Sequence, residues 1–240
     1  MKIDIPSIFK NYNVIAGVTL ANKDLFPPYG FSITKAEIFS DVEIMKMRTE
    51  FAQFIDINYE NLIFQKQIHS DIVKVVDDNY TYGEHDGLIT NIKSKILMLS
   101  LADCSGILIY DKELEVISAI HSGWRGTSKN IIGKAIEKFV NDFGSEPKNL
   151  LCYLSPSASV DNYEIGAELL DLLGEFSIKR GEKYFFDNKR MLTEQLLVQG
   201  VPAQNIEVSD VCTISNEQYH SYRRDKSQSG RMAAFIGMTQ

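Results

Sequence analysis

Three short apolar runs stand close together in the middle of the chain: Lys95–Leu101, Ile107–Tyr110 and Glu115–Ile120. Polar or turn-like breaks separate them. Their lengths and β-branched content predict strands rather than helices. Several strands that follow one another without a helix suit a sandwich with mixed sheets better than a purely parallel, doubly wound sheet. An amphipathic segment, Thr127–Phe143, follows at once. Thr127 or Ser128 can cap it, and Ile131, Ile132, Ala135, Ile136, Phe139 and Val140 form its apolar stripe. Gly144 suits the residue just past its end.

Around this centre the elements alternate less regularly. Asp71–Val76, Leu88–Thr90, Leu150–Leu154, Ile206–Val211 and Met232–Ile236 read as strands. Glu164–Phe176 and Lys189–Gln199 read as helices, the second stopped by Gly200 and Pro202. The first 50 residues are harder: an apolar run at Val14–Leu20, the pair Pro27–Pro28, then a short helix over Met45–Phe54 with Met47, Phe51 and Phe54 on one face. No linker, repeat or low-complexity tract divides the 240 residues, enough for one sizeable core. The expectation is a single α/β (α+β) domain over 1–240, a layered sandwich with mixed β-sheets.

Composition excludes several classes of function. Lys and Arg number 25 against 32 Asp and Glu, a net charge of −7, with no basic run to track nucleic acid. The most apolar window, Ile96–Tyr110, is interrupted by Asp103 and too short for a bilayer. The start carries Asp4 and Pro6 where a signal peptide needs unbroken apolar residues. Three cysteines (Cys104, Cys152, Cys212) without close spacing do not make a disulfide framework. A reducing, cytoplasmic setting is expected, with no membrane and no nucleic-acid partner.

The chemistry-bearing residues gather between 65 and 126: Gln67-x-His69, His85-Asp86-Gly87, Ala102-Asp103-Cys104 and His121-Ser122-Gly123-Trp124-Arg125-Gly126. Each lies where a predicted strand begins or ends, and loops at one sheet edge can assemble a site from distant segments. From His69 to Cys104 is 35 residues and from Cys104 to His121 is 17, with no short-range metal motif. On residue types alone, a His at a strand end is as well explained as structural or merely exposed. Cys104 after an apolar strand is as well explained as an inert thiol.

These segments resemble the laccase-domain proteins, described as multicopper polyphenol oxidases or as purine nucleoside phosphorylases with adenosine deaminase activity. The resemblance rests on Gln67-x-His69, Asp86-Gly87-Leu88-Ile89-Thr90, Ala102-Asp103-Cys104 and the His121–Gly126 block. The tail Ser221-Tyr222-Arg223-Arg224-Asp225 with Gly230-Arg231 completes it, and Tyr163-Glu164-x-Gly166 and Asp210-x-Cys212-Thr213 support it. The chain departs from the family at Gly106, where Pro is usual, at Ser122, where Ala is usual, and in its N-terminal segment. The resemblance implies that His69, Cys104 and His121 hold one Zn2+ with an open fourth position, as catalytic zinc sites do. It also implies purine nucleoside and phosphate as substrates. Four histidines in all cannot build several copper centres, so multicopper oxidation is not expected.

Around that ligand set the readings divide. Arg125 either grips phosphate through paired hydrogen bonds or pairs with a carboxylate. Arg223, Arg224 and Arg231 either approach the same anion or form a solvated turn. Asp86 and Asp103 are candidates for supporting the ligands or moving protons. Asp86-Gly87 also reads as a turn, and Asp103 points away from Cys104 if the segment is extended. Trp124 either stacks on a purine or anchors the core. Tyr163 and Glu164 open a predicted helix. Ser157 and Ser159 have no base partner, and His85, His220, Cys152 and Cys212 are expected to stand apart. Two other functions compete: a metal-free thiol hydrolase or amidase using Cys104 and His121 on cell-wall precursors, and a non-catalytic zinc- or nucleoside-binding module.

Overall fold

A computed structural model of the protein describes residues 1–239. The three central runs form Ile96–Leu101, Ser105–Asp111 and Val116–Ser122. The last two make an antiparallel ladder from Ser105↔Ser122 to Asp111↔Val116. Every residue of both is buried, which is why they read as continuous apolar runs rather than alternating ones. Alternation still operates within them. Leu108 and Tyr110 face one core while Ile107 and Ile109 face another.

Those two cores define the layers. Ser105–Asp111 and Val116–Ser122 are the middle of a six-stranded sheet ordered Ile206–Val208, Leu150–Leu154, Ser105–Asp111, Val116–Ser122, Gly87–Thr90, Val73–Val75. Ile96–Leu101 belongs to a five-stranded sheet ordered Ile3–Asp4, Val14–Thr19, Met232–Met238, Ile96–Leu101, Leu62–Ile63. The sheets pack face to face through Leu97, Leu99, Leu108, Ile117, Ala234 and Ile236. On the outer face of the six-stranded sheet, Ile107, Ile109 and Ile120 meet the helices Ile131–Phe143 and Asn188–Val198 through Ile136, Phe139, Leu192 and Leu196. On the far side, Met98 and Phe235 meet the helix Asp41–Phe54 through Ile44, Met47 and Phe51. Parallel pairs at both edges of the six-stranded sheet and at Leu62–Ile63 make the sheets mixed. The result is the α+β layered sandwich expected.

Several boundaries differ from the sequence expectation. The segment Thr127–Phe143 is two helices, Trp124–Ser128 and Ile131–Phe143. Asn130 breaks them: its backbone is left-handed (φ 56°, ψ 52°) and its side chain accepts from the Gly133 N–H at 3.1 Å. The cap is therefore Asn130, not Thr127 or Ser128. Val140 is 40% exposed and leaves the buried stripe. Asp41–Phe54 starts four residues before Met45 because Ser40 and Glu43 form a reciprocal capping box, and Phe54 lies exposed. Glu164–Phe176 is not a helix. It is a short strand, Glu164–Ile165, then single turns over Ala167–Phe176, interrupted at Gly174 with φ +51°. Glu164 thus sits opposite Phe185 in a small three-stranded sheet and pairs with Lys183, not at a helix N-terminus. The other two strands of that sheet, Ser177–Arg180 and Lys183–Phe186, have no counterpart in the sequence reading. No helix among the described residues is long and apolar enough to cross a membrane.

Candidate active site

Strand register brings three of the expected residues to one edge of the six-stranded sheet. Cys104 lies one residue before the Ser105↔Ser122 pair, and His121 lies opposite Gly106. The next strand, Gly87–Thr90, pairs Gly87 with Ile120, so Asp86 stops beside His121, whose N–H donates to the Asp86 carbonyl at 2.7 Å. Val73 pairs with Gly87 in turn, which carries the loop before it, and His69 with it, over the same edge. The ligand atoms of His69, Cys104 and His121 all lie within 4.8 Å of one another. The two imidazoles meet edge to face at 4.9 Å.

Asp86 organises this edge. Its side chain is fully buried and accepts hydrogen bonds from His69 N–H (3.1 Å), Ser70 N–H (2.6 Å), Ser70 Oγ (2.7 Å), Ile68 N–H (3.2 Å) and His121 Nδ1 (2.8 Å). The three amides wrap the loop around the carboxylate and hold His69 at φ +60°. Burial works to raise the Asp86 pKa, but His121 and Ser70 outweigh it and hold the carboxyl at about 2. An ionised carboxylate only accepts, so His121 carries a proton on Nδ1 and leaves Nε2, on the Cys104 side, for a metal to take in place of the proton it shares with the sulfur. That is the tautomer a metal ligand needs. Gln67 steadies the same loop from the other sheet: its amide donates to Ser100 O at 2.9 Å and accepts from Ser100 N–H at 2.7 Å.

Cys104 and His121 polarise one another. Burial alone would raise the thiol, yet the two histidines lower it well below the ordinary thiol range. Burial would likewise lower His121, yet the Cys104 sulfur and Asp86 raise it. The Gly123 backbone runs directly past the sulfur, and a Cβ there would sit 2.7 Å from Cys104 Sγ. The first glycine of the HSGWRG block is needed for this close approach. With two imidazoles and a thiolate at these separations, the group fits a metal ion and leaves one position open.

The remaining candidates divide. Asp103 is not extended: at φ +81° its carboxylate turns to accept from Thr213 Oγ1 (2.7 Å) and Arg223 N–H (2.6 Å). It ties the Cys104 loop to the Tyr222–Asp225 helix. Arg224 is committed to the fold, donating to the carbonyls of Thr213, Ile214 and Tyr219 and to Asp225, and it drops out of the anion contacts expected for it. Arg125 is exposed and lies over the Trp124 ring at 4.3 Å, with no carboxylate partner among the described residues. Arg223 lies over Tyr163 at 6.0 Å.

Arg231 is half-buried, places one nitrogen on the Ser229 and Gly230 carbonyls, and lines a cleft of about 370 Å3 with Lys35, Glu37, Tyr222 and Ser227. Burial lowers its pKa, and Tyr222, Asp103 and Cys104 oppose that. Trp124 anchors an apolar cluster with Ile165, Leu173, Phe186 and Tyr163. His85 bonds Gln65, His220 bonds the Phe31 carbonyl, Cys152 is in the core, and Cys212 accepts from Ser159 N–H and Asn162. None joins the triad. The contacts that sequence reasoning missed are those of Ser70, Gln67 and Asn188, polar residues whose partners are distant in the chain.

Residues 40–239 match the family described as multi-copper polyphenol oxidoreductase laccase. The chain belongs to that family. Among its relatives is a purine nucleoside phosphorylase of Clostridium acetobutylicum, 34% identical over 75% of this chain and 78% of that protein. Purine nucleoside phosphorylase YlmD of Bacillus subtilis is 28% identical over 96% and 90%. The crystal structure of Bacillus licheniformis hypothetical protein YfiH superposes with a TM-score of 0.91 at 23% identity, covering 99% of this chain and 96% of that one. The fold is that of YfiH, and among the described residues His69, Cys104 and His121 are the group of His, Cys and acidic side chains that could hold a metal ion.

Proposed function

We propose that this protein is a zinc-dependent purine nucleoside phosphorylase of the cytoplasm with a companion adenosine deaminase activity. The observation that carries the reading is the His69–Cys104–His121 group, its ligand atoms within 4.8 Å and backed by the buried Asp86. Relatives named purine nucleoside phosphorylase supply the substrate class. When bound, zinc supplies a Lewis acid that polarises an oxygen or lowers the pKa of water.

The rest falls to the chain's own residues. In phosphorolysis a phosphate oxygen attacks the anomeric carbon, the glycosidic bond breaks, and the purine leaves with a proton. Arg231, half-buried and within electrostatic reach of Cys104, is assigned the phosphate contact, with Arg223 beside Tyr163 and Arg125 beside Trp124 as further cations. Tyr163, a partly buried phenol kept protonated by burial and by the Cys104 charge, is assigned as a proton-bearing neighbour of the group. Asp86 holds the His121 tautomer and moves no proton. Deamination replaces the purine C6 amino group with oxygen from water and releases ammonia.

The test pairs metal analysis of protein purified without a nickel column with incubation of inosine and adenosine, each with and without phosphate. About one zinc per chain is expected, with ribose 1-phosphate formed only when phosphate is present and inosine formed from adenosine. His69→Ala, Cys104→Ala and His121→Ala each abolish metal uptake and turnover. Failure to form either product overturns the reading. The mutual polarisation of Cys104 and His121 favours one alternative, a thiol hydrolase. Metal-free protein with rapidly alkylated Cys104, and turnover retained in His69→Ala, would establish it instead.

A further inference from the structure

We propose that Asn188 is a positioning residue that fixes the separation of Cys104 and His121, and so sets how tightly the triad holds its metal. The inference rests on the zinc reading above. Asn188 is the first residue of the Asn188–Val198 helix, and it is 1% exposed. Its amide nitrogen donates to Ser105 Oγ at 3.1 Å and to the Ser122 carbonyl at 3.2 Å. Ser105 directly follows Cys104, Ser122 directly follows His121, and the two face each other at the end of the ladder. One side chain thus spans the two strand ends that present the sulfur and the imidazole.

The network around it has a fixed direction. Thr127 Oγ1 gives its proton to Asn188 Oδ1 at 2.7 Å, so Ser122 Oγ is the donor in its 2.8 Å contact with Thr127. On the other arm Ser105 Oγ passes its proton to Ser157 Oγ at 3.0 Å. Ser105, Ser122, Thr127 and Ser157 are all buried. Two arms converge on a group that must donate with one atom and accept with the other. The side-chain amide does both at once. Asp would keep the acceptor for Thr127 but turn a second oxygen against the Ser122 carbonyl, and Ala would leave both arms open in a dry site. Polar partners behind metal ligands typically alter affinity strongly when removed, because they set ligand orientation.

The experiment measures Zn2+ affinity by chelator competition in Asn188→Asp, Asn188→Ala and Ser105→Ala, well below each variant's Tm. The cobalt-substituted proteins are examined alongside for the Cys104 thiolate-to-metal charge-transfer band. Leu196→Ala serves as the control, since Leu196 is a fully buried residue of the same helix that packs in the apolar core and takes no part in the network. The Asn188 variants are expected to bind Zn2+ about tenfold or more weakly, with a diminished charge-transfer band. Ser105→Ala, which removes one arm, shows a smaller loss, while Leu196→Ala loses Tm yet keeps wild-type affinity and band. The proposal is overturned if every folded Asn188 or Ser105 variant binds Zn2+ within about threefold of wild type. It is equally overturned if Leu196→Ala weakens binding as much. A wild-type protein that takes up no Zn2+ is a different outcome and removes the function reading instead.

Discussion

Replacing Asp86 by Asn preserves side-chain shape but turns one acceptor oxygen into a donor. At Oδ1 the new NH2 would face His69 N–H and His121 Nδ1; at Oδ2 it would face Ser70 and Ile68. Either placement sets donor against donor in a buried site. In the first, His121 must hold its proton on Nε2 and withdraws that nitrogen from the metal. Asp86→Asn is therefore expected to lower metal affinity by about 10- to 100-fold and to cost about 3 kcal/mol of stability. Chelator competition and urea denaturation measure the two; unchanged affinity would remove Asp86 from the site. Gly123→Ala separates geometry from stability. Its backbone (φ −92°, ψ −172°) suits Ala, so the only conflict is the 2.7 Å approach to Cys104 Sγ. It should fold with a loss of about 1 kcal/mol or less yet bind metal poorly, read as metal per chain after dialysis. The triad was legible in the sequence through the family resemblance, since the residue types and their spacing left each member equally well explained as structural. Asp86 was a candidate for supporting the ligands, but a buried carboxylate and a turn Asp-Gly look identical until the amides that surround it are placed.

The strands were legible for the same reason that they are stable. Ile96–Leu101, Ser105–Asp111, Val116–Ser122 and Leu150–Leu154 are buried nearly throughout, so their apolar runs are unbroken. The hairpin Ser177–Phe186 lacked that signal: Lys179, Arg180 and Lys183 are exposed and its pattern is weak. Leu169, Leu170, Leu172 and Leu173 imitate a helical stripe, but Leu172 is half-exposed and Gly174 ends the turn. Asn130 shows how a local choice decides an element. A left-handed residue that also caps the next helix opposes any continuous helix from Trp124 to Phe143. Asn130→Ala loses the cap and retains the strained backbone, so it should cost about 1–2 kcal/mol. Asn130→Gly loses only the cap and should cost a few tenths, roughly. Urea midpoints at constant m-value test that order; equal costs for the two would mean that the left-handed backbone contributes nothing.

Across the whole molecule, the chain's two ends meet in one sheet while the site forms on the other. Met232–Met238 lies between Val14–Thr19 and Ile96–Leu101, and the tail before it passes the site with Arg223 and Arg231 on the way. His220 locks that tail to the N-terminal region. Its Nε2 donates to the Phe31 carbonyl at 2.7 Å, and a Cβ on Gly230 would lie 2.6 Å from the same nitrogen. Burial pushes the imidazole down to about 4; the Phe31 carbonyl and Asp225 act against that, and Lys23 and Arg231 reinforce it. The unfolded chain therefore takes up the proton first, near pH 6.5, and the folded chain only near pH 4. Between those values the unfolded state binds more protons, so stability is complete above pH 6.5 and declines as pH falls toward 4, by up to about 3 kcal/mol. Gln at 220 can still donate to Phe31 O but does not titrate. His220→Gln should show a shallower fall in the urea midpoint between pH 6.5 and 4, whatever its stability at neutral pH. Asp86, held at about 2, loses its contribution only below the ordinary carboxylate range, so the two losses separate along the pH axis. Identical slopes for wild type and His220→Gln would mean that the tail is not locked through a neutral imidazole.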